Sequence, residues 1–314
     1  GVHMSEKIIV TGVNGFVGEH VVDTFKEDGF EVVGIGSDNS PNEKVAHKLD
    51  TYVSCNLLDV DSVNNIDLNN ARAIIHLAGL SAVSRSFDQA QRYISDNAVM
   101  TYNLLDHAKT SNMQGRAIVV SSGALYDPNQ PLPISEESAT SPTSPYAIGK
   151  LASEHVVDYF RNRGLDAVIA RPFNHIGPGQ KEGFILPDIY AQLSSVGSGG
   201  EIQVGNLNTR RDYTDVRDIV AGYKALALAD SLDHRLYNIC SGKSLSGKDI
   251  LALVERIGNY TDIKVSIDPS KIRPSDIMDI YGDSSRIRKE LGWQPQYDIE
   301  QTIADFVADL SHNK

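Results

Sequence analysis

A tyrosine and a lysine four residues apart mark a candidate acid–base site. Tyr146 and Lys150 fall in a stretch with helical periodicity, so their side chains lie on one face of the helix. Upstream, an apolar run delivers Ser121 and Ser122 at its end, where open α/β sheets bind their ligands. A phenol with a reference pKa near ~10 is a poor acid or base at neutral pH unless a nearby ammonium lowers that pKa. The sequence therefore predicts a proton-transfer site in which Lys150, together with the positively charged ring of a bound cofactor, lowers the pKa of Tyr146.

A glycine-rich turn near the start of the chain predicts a dinucleotide-binding loop. The glycines are spaced three apart, between an apolar run at 7–11 and a helical pattern at about 15–28. The first glycine makes the turn, the second lets a pyrophosphate approach the backbone, and the third lets helix and strand pack closely. The first amides of the helix then face the anion. The candidate cofactor contacts in this loop are Gly12, Asn14, Gly15, Phe16, Val17 and Gly18.

The end of the next predicted strand, at 31–35, bears on the choice of cofactor. Gly36 occupies the position where an acid often binds the ribose hydroxyls. This small residue, followed by Ser37, leaves room for a 2′-phosphate, although no arginine stands beside it. Asp38 could still bind the ribose of NAD. The cofactor is NADP(H) or NAD(H), with NADP(H) preferred.

Strands and helices alternate through the first half of the chain, which predicts an α/β fold with a doubly wound parallel sheet, the Rossmann architecture. After the unit at 7–35, further strands are predicted at 51–54, 73–77, 117–121 and 167–170, and helices at 87–111 and 145–163.

The pattern changes from Arg171 onward, where loops punctuated by proline and glycine predict a smaller, loop-rich C-terminal α/β domain for the substrate. Helical patterns return near 215–229 and 247–257. We place the NAD(P)-binding Rossmann domain at 4–172 and 216–240, and the substrate domain at 173–215 and 241–314.

Composition excludes several other classes of protein. The net charge is −12 without any Lys/Arg-rich run, which argues against a nucleic-acid or anionic membrane partner. The two cysteines, Cys55 and Cys240, predict neither a disulfide framework nor a metal site, and no metal is expected. No apolar run reaches membrane-spanning length, so we expect a cytoplasmic protein. Residues 1–3, ahead of Met4, look like a cleavage scar of recombinant expression.

These features resemble the extended short-chain dehydrogenase/reductase family, from Lys7 to about Thr302. Besides the glycine loop, Tyr146 and Lys150, the similarity rests on the His-Leu-Ala-Gly run at 76–79, on Asn97, and on Ser122 with the Leu-Tyr pair at 125–126. The resemblance implies catalysis by Ser122, Tyr146 and Lys150, supported by Asn97, with Ser121 as the alternative hydroxyl. It also implies cofactor contacts at Ser37, Asn56, Leu57, Leu77, Ala78, Gly79, Tyr146, Lys150, Pro172 and Phe173.

The second half is similar to GDP-4-keto-6-deoxy-D-mannose reductases and their GDP-mannose dehydratase relatives. The most specific segment is Arg-Pro-Phe-Asn-His-Ile-Gly-Pro-Gly-Gln at 171–180, and similar segments follow at 204–206, 210–216 and 273–276. The resemblance implies that Arg211 and Arg273 bind the diphosphate, as guanidinium groups do by paired hydrogen bonds. An Arg211–Asp212 ion pair is the alternative. The implied substrate residues are Ser122, Asn174, Gly205, Arg211 and Arg273.

The residues after Ser122 help to choose the reaction. Dehydratases resembling this chain carry acidic residues there, whereas this sequence reads Ser-Gly-Ala-Leu at 122–125, so elimination of water lacks its general base. We therefore expect NAD(P)H-dependent reduction of the 4-keto group of a nucleotide-activated 6-deoxyhexose, with Tyr146 as proton donor. The alternatives are an NAD-dependent 4-epimerase, a 4,6-dehydratase, and a cofactor or nucleotide-sugar binding protein without turnover. Family members commonly pair, which implies a homodimer formed through the helices at 87–111 and 145–163.

Overall fold

The computed structural model describes residues 6–79, 86–273 and 277–312. The expectation for residues 1–3 and the last three positions of the 273–276 segment lie outside them. In this part of the chain the strands are β1 (Lys7–Thr11), β2 (Glu31–Gly36), β3 (Thr51–Ser54), β4 (Ala71–His76), β5 (Arg116–Val120), β6 (Ala167–Pro172), β7 (Asn174–Ile176), β8 (Glu201–Val204), β9 (Arg210–Arg211), β10 (Tyr213–Asp215), β11 (Leu236–Ile239), β12 (Leu245–Ser246) and β13 (Lys264–Ile267).

The helices alternate with these strands along the chain. In the described ranges they are α1 (Phe16–Glu27), α2 (Glu43–Ala46), α3 (Val60–Asn64), α4 (Ala90–Thr110), α5 (Pro145–Arg161), α6 (Ile185–Val196), α7 (Val216–Leu228), α8 (Gly247–Ile257), α9 (Ser285–Leu291) and α10 (Ile299–His312).

A seven-stranded sheet in the order β11-β6-β5-β4-β1-β2-β3 forms the centre of the molecule. Each neighbouring pair is parallel. The order reverses between β1 and β4, and ligands of such sheets bind in the crevice beyond the carboxyl ends of the strands at that point. The predicted Rossmann fold is confirmed. The remaining strands form three separate two-stranded sheets: β10-β7, β12-β9 and β13-β8.

Apolar side chains cover both faces of the sheet, which is why its strands are apolar almost without interruption. On one face Phe25 of α1 and Tyr223 of α7 belong to the cluster that contains Ile8. On the other, Leu104 of α4 and Phe160 of α5 belong to the cluster that contains alternate residues of the same strands. A third cluster lies among α6, α8 and α10. This third core supports a second domain, whose predicted boundaries stay a prediction.

One expectation about the second half was wrong. The segment after Arg171 was expected to be loop until about residue 215, yet α6 occupies its middle. Its apolar residues, including Leu186, Ile189 and Leu193, are buried in the third core. The glycine cluster at 197–200, which predicted a loop, directly follows this helix. Gly197 ends the helix, because it adopts a φ of +71°.

Candidate active site

The glycine loop lies beside the end of β4, at the crevice between β1 and β4. Gly12 has a φ of +66°, and a Cβ on it would lie 2.9 Å from Ala78 N, so both backbone conformation and space require glycine. At Gly18 a Cβ would lie 2.4 Å from Val13 O, which is the close approach of helix to strand that the spacing predicted. Helix α1 begins at Phe16 without a side-chain cap. Its first amides therefore suit an anion such as a pyrophosphate.

A chain of hydrogen bonds fixes the loop at 76–79 against the glycine loop. Thr11 Oγ1 bonds His76 Nδ1 at 2.7 Å and accepts from Ala78 N at 3.1 Å. His76 Nε2 lies 3.2 Å from Thr101 Oγ1, whose hydrogen goes to Asn97 O. Burial, with a contribution from Lys150, lowers the pKa of His76 to about 3. His76 is thus a neutral, buried residue that holds this loop in place.

Tyr146, Lys150 and Ser122 meet where β5 ends and α5 begins. Ser144 caps α5 by accepting from Ala147 N, which orients the first turn that carries Tyr146. The Ser122 side chain lies close enough to the Tyr146 hydroxyl to lower its pKa by hydrogen bonding. Lys150 Nζ lies 5.9 Å from the centroid of the Tyr146 ring and donates to Val120 O over 3.4 Å. The structure therefore brings the three predicted groups together.

Burial sets the pKa values of this cluster. Burial raises the pKa of Tyr146, while the hydrogen bond with Ser122 lowers it and Tyr93 raises it. The net shift is upward in the protein by itself, and the expected lowering of the Tyr146 pKa by Lys150 together with the positive ring of a bound cofactor stays a prediction. Burial also lowers the pKa of Lys150 to about 8, against the opposing attraction of Glu154. A second positive charge from a bound ligand would be needed to acidify the phenol.

Close packing of α4 on α5 places Asn97 beside this cluster. A Cβ on Gly149 would lie 1.9 Å from Tyr93 O and 3.4 Å from Asn97 Nδ2, so only glycine allows this approach of the two helices. A Cβ on Gly79 would lie 2.8 Å from Asn97 Oδ1 and 3.4 Å from Lys150 Nζ. Asn97 therefore lies between the loop after β4 and the start of α5, next to Lys150.

The two strand-end serines have different partners. Ser121 Oγ donates to Glu154 Oε2 at 2.6 Å, and Arg171 makes a bidentate ion pair with the same carboxylate. All three side chains are buried. Ser122 is partly exposed and contacts Tyr146. This arrangement favours Ser122 over Ser121 as the reacting hydroxyl. The Glu154–Arg171 pair was not found from the sequence, although Glu154 stands four residues after Lys150.

The end of β2 carries an ordered carboxylate. Asn14 Nδ2 donates to Asp38 Oδ2 at 2.9 Å, and the Tyr52 hydroxyl donates to Asp38 O at 2.7 Å. Ser37 and Asp38 are both exposed. The next predicted contacts, Asn56 and Leu57, follow β3, whose end pairs with Gly36. Leu57 is buried, and Asn56 Oδ1 accepts from Leu58 N.

The segment that follows β6 presents Asn174 to solvent and packs against the start of α1. Pro172 ends β6, and Phe173 is buried in a small apolar cluster with Tyr126. The ring of Phe16 stacks on His175, with centroids 6.0 Å apart. His20 Nε2 donates to Pro178 O at 2.7 Å. The sequence did not predict this contact between α1, which follows the glycine loop, and residues 174–178, which we call the Asn174 segment.

The predicted diphosphate residues lie in the second half of the chain. Arg211 of β9 donates from Nη1 to Arg210 O and to Ile277 O, both at 2.7 Å. The carboxylate of Asp212 accepts from Ser241 N, Ser241 Oγ, Gly242 N and Gly282 N. Arg273 is exposed. Gly205 follows β8, and a Cβ on it would lie 2.7 Å from Lys271 O.

Across residues 6–79, 86–273 and 277–312, His, Cys, Asp and Glu side chains form no group that could hold a metal ion. In the same ranges, no helix combines the length and apolar character needed to cross a membrane.

Known proteins resemble this chain in family, sequence and structure. The family model described as GDP-mannose 4,6 dehydratase matches residues 9–306. A GDP-6-deoxy-D-mannose reductase of Pseudomonas aeruginosa is 30% identical, over 98% of this chain and 97% of its own. A UDP-glucose 4-epimerase of Pisum sativum is 28% identical, over 96% of this chain and 94% of its own. A structure of RMD from Pseudomonas aeruginosa complexed with NADPH matches with a TM-score of 0.83 and 28% identity, covering 99% of this chain and all of the other.

Proposed function

Because this chain belongs to the GDP-mannose 4,6-dehydratase family, and with it to the extended short-chain dehydrogenase/reductases that modify nucleotide-sugars, we propose that it is an NAD(P)H-dependent 4-ketoreductase. Its substrate is a nucleotide-activated 4-keto-6-deoxyhexose of the GDP-4-keto-6-deoxy-mannose type. The 30% identical reductase supports this choice of reaction and substrate.

The proposal rests mainly on the side chains that surround Ser122. The Ser122 side chain lies close to the Tyr146 hydroxyl, and Lys150 Nζ lies 5.9 Å from the centroid of the Tyr146 ring. The next two residues are Gly123, which packs beneath the Phe173 ring, and the exposed Ala124. A dehydratase needs a carboxylate here to remove a proton from the hexose, whereas reduction of a ketone needs only a proton donor. The site is thus equipped for reduction.

The protein groups then have separate tasks in the reaction. When bound, the reduced nicotinamide supplies the hydride that attacks the ketone carbon. Tyr146 donates its hydroxyl proton to the developing alkoxide, and Ser122 donates a hydrogen bond to the same oxygen. Lys150 stabilises the phenolate that remains and, by family resemblance, holds the ribose. Lys150 would share this task with the positive charge of the oxidised cofactor, and together they would offset the burial that raises the Tyr146 pKa.

The glycine loop and the arginines suit the two diphosphate groups that such a reaction requires. The uncapped start of α1 and the turn at Gly12 suit the pyrophosphate of the cofactor. We assign Arg211 and Arg273 to the diphosphate of the sugar nucleotide, with Gly205 and Asn174 as further substrate contacts. The two carbonyl bonds of Arg211 fix its guanidinium, which reduces the entropy lost on binding an anion.

Either nicotinamide cofactor has some support. NADPH bound to the similar RMD favours NADP(H). The carboxylate of Asp38, oriented by Asn14 at the end of β2, favours NAD(H), because it can accept from a ribose 2′-hydroxyl and repels a 2′-phosphate. We retain NADP(H) as the first candidate and NAD(H) as the second.

A nucleotide-sugar 4-epimerase is the second candidate function. The 28% identity to a UDP-glucose 4-epimerase over nearly the whole chain favours it, and an epimerase needs the same tyrosine, lysine and hydroxyl. An epimerase oxidises and re-reduces the same carbon, so it consumes no cofactor overall.

We also retain a cytoplasmic location and a homodimer formed through α4 and α5. Several large apolar side chains on these two helices are exposed, namely Ile94, Val99, Tyr102 and Tyr159, and pairing would cover them.

Replacement of Tyr146 by Phe tests the proposed mechanism. The change removes the proton donor but keeps the ring, so we expect a loss of at least ~100-fold in kcat with cofactor binding retained. Steady-state reduction kinetics and titration of cofactor fluorescence measure the two quantities. Reduction at the wild-type rate would show that another group donates the proton.

A further inference from the structure

A buried ion pair connects three elements that carry the proposed catalytic and substrate residues. Glu154 lies on α5, one turn after Lys150, and Arg171 lies in β6, three residues before Asn174. Arg171 Nε donates to Glu154 Oε2 at 2.8 Å, and Nη2 donates to Oε1. The remaining bond to Glu154 comes from Ser121, the neighbour of Ser122, at 2.6 Å.

We propose that Glu154 and Arg171 are positioning residues of the reduction, which fix Ser122 and the Asn174 segment relative to Tyr146 and keep Lys150 cationic. This inference rests on the proposed function, because it assigns the pair a task in that reaction.

The Glu154–Arg171 pair is buried together with Ser121, which limits the movement of these side chains. Glu154 is 3% exposed, Arg171 is 4% exposed, and Ser121 is 4% exposed. Bidentate pairing fixes both side chains in one orientation, and the Arg171 guanidinium also lies 4.8 Å from the centroid of the Tyr126 ring. Ser121 N donates to Ala170 O, so the ends of β5 and β6 are held side by side next to the pair. A shift of Glu154 would move both strand ends relative to α5.

The pair also bears on the charge of Lys150. Titratable groups that face Lys150 in the described structure include Glu154 and Tyr146 on α5 and His76 on β4, and Arg171 of β6 pairs with the Glu154 carboxylate. His76 and Tyr146 are neutral at pH 7, which leaves Glu154 as the anion among them. Burial lowers the Lys150 pKa to about 8, and Glu154 counteracts that shift. Loss of the Glu154 charge therefore lowers the pH at which Lys150 loses its proton.

Glu154→Gln removes the carboxylate charge while keeping the length of the side chain and one of its two acceptor oxygens. We expect the alkaline limb of kcat/KM to move to lower pH by about one unit or more, the shift typical of a lost opposite charge. The matched control is Asp166→Asn. Asp166 pairs with Arg116 between the starts of β5 and β6, at 3.0 Å and at the opposite edge of the sheet. This control should leave the pH profile unchanged.

A double variant separates positioning from folding. Removing one member of a buried ion pair strands the other charge, whereas apolar side chains of similar size in both places preserve stability. Glu154→Met with Arg171→Met should therefore unfold near the wild-type temperature, yet keep a low kcat and a displaced alkaline limb. Recovery of wild-type kcat and pH profile in the double variant would reduce the pair to a structural role and overturn the proposal. If the alkaline limb of kcat/KM in Glu154→Gln stayed at its wild-type pH, the proposed effect of the Glu154 charge on Lys150 would be overturned.

A measurement without turnover keeps this proposal distinct from the proposed function. The rate at which trace acetic anhydride acetylates Lys150, followed by peptide mass spectrometry across pH, reports the pKa of its amine. Glu154→Gln should lower that pKa and Asp166→Asn should not. If the wild-type protein reduces no 4-keto sugar, the proposed function fails while the labelling result still stands. If reduction is observed but the labelling curves of wild type and Glu154→Gln coincide, only this inference fails.

Discussion

The contact between α4 and α5 at Gly149 allows a quantitative test of how the site is positioned. A Cβ at residue 149 would lie 1.9 Å from Tyr93 O, whereas nonbonded carbon–oxygen contacts lie near ~3.3 Å. Gly149→Ala must therefore separate the two helices by more than ~1 Å, because a backbone carbonyl within a helix has little freedom to move. Tyr146 and Lys150 lie on the helix that moves, and Asn97 lies on the other.

Two opposing terms determine the stability of Gly149→Ala. Alanine gains about 1 kcal/mol of helix propensity over glycine. Overpacking costs about 1–3 kcal/mol, and a backbone obstacle places this site at or above the upper limit. For a chain of 314 residues, the net loss of about 2 kcal/mol corresponds to a decrease in Tm of roughly 3 °C. Displacement of the catalytic groups by ~1 Å should lower kcat/KM by about 100-fold.

Thermal unfolding and steady-state kinetics measure both effects, with Gly222→Ala as the matched control. Gly222 also lies within a helix, but its added Cβ would meet the side-chain end of Ile239, at 2.9 Å from Cδ1, which can move aside. The control should stay within about 1 kcal/mol of wild type. A Gly149→Ala protein with unchanged Tm and kcat/KM would refute the argument that this contact positions the site.

Three further predictions concern pH, the Asn174 segment and the cofactor. Because burial lowers the Lys150 pKa to about 8 and the ammonium form is needed, kcat/KM should fall as pH rises above about 8, and a flat alkaline limb would contradict this. His20→Leu removes the hydrogen bond to Pro178 O and should raise the KM of the nucleotide-sugar roughly fivefold, with an unchanged cofactor Kd. His20→Gln can still donate this hydrogen bond, so its KM should stay near that of the wild type. Asp38→Asn removes an anion held by Asn14 and should raise the NADPH-to-NADH ratio of kcat/KM by about tenfold. An unchanged ratio would show that Asp38 does not face the ribose.

Local periodicity was sufficient to predict the sheet and most of its helices. β3 and α8 have the predicted bounds, and α1, α5 and α7 differ by one or two residues. Strands buried on both faces are apolar throughout, and helices that cover them are amphipathic, so each signal is contained in its own segment. We did not predict α6, because the glycines and prolines around it indicated loops. Its apolar residues nevertheless form part of the third core.

The catalytic cluster was predictable from spacing and resemblance, whereas its electrostatics were not. Tyr146 and Lys150 share a helix face by spacing alone, but the depth of burial that raises one pKa and lowers the other depends on the packing of α4 and β5. Contacts between segments that lie far apart in the sequence could not be predicted either. Glu154 with Arg171, and His20 with Pro178, join residues 17 and 158 positions apart, and single-sequence periodicity contains no signal for such pairs.

Oxidation of NADPH and NADH, followed by absorbance with GDP-4-keto-6-deoxy-mannose and its dTDP counterpart, decides whether this protein is a 4-ketoreductase. We expect one cofactor to be consumed in a one-to-one ratio with one of these substrates, and Tyr146→Phe to abolish this consumption. Absence of net oxidation with both substrates would contradict a ketoreductase of this type. If the protein then interconverted UDP-glucose and UDP-galactose with bound NAD, the epimerase would replace it.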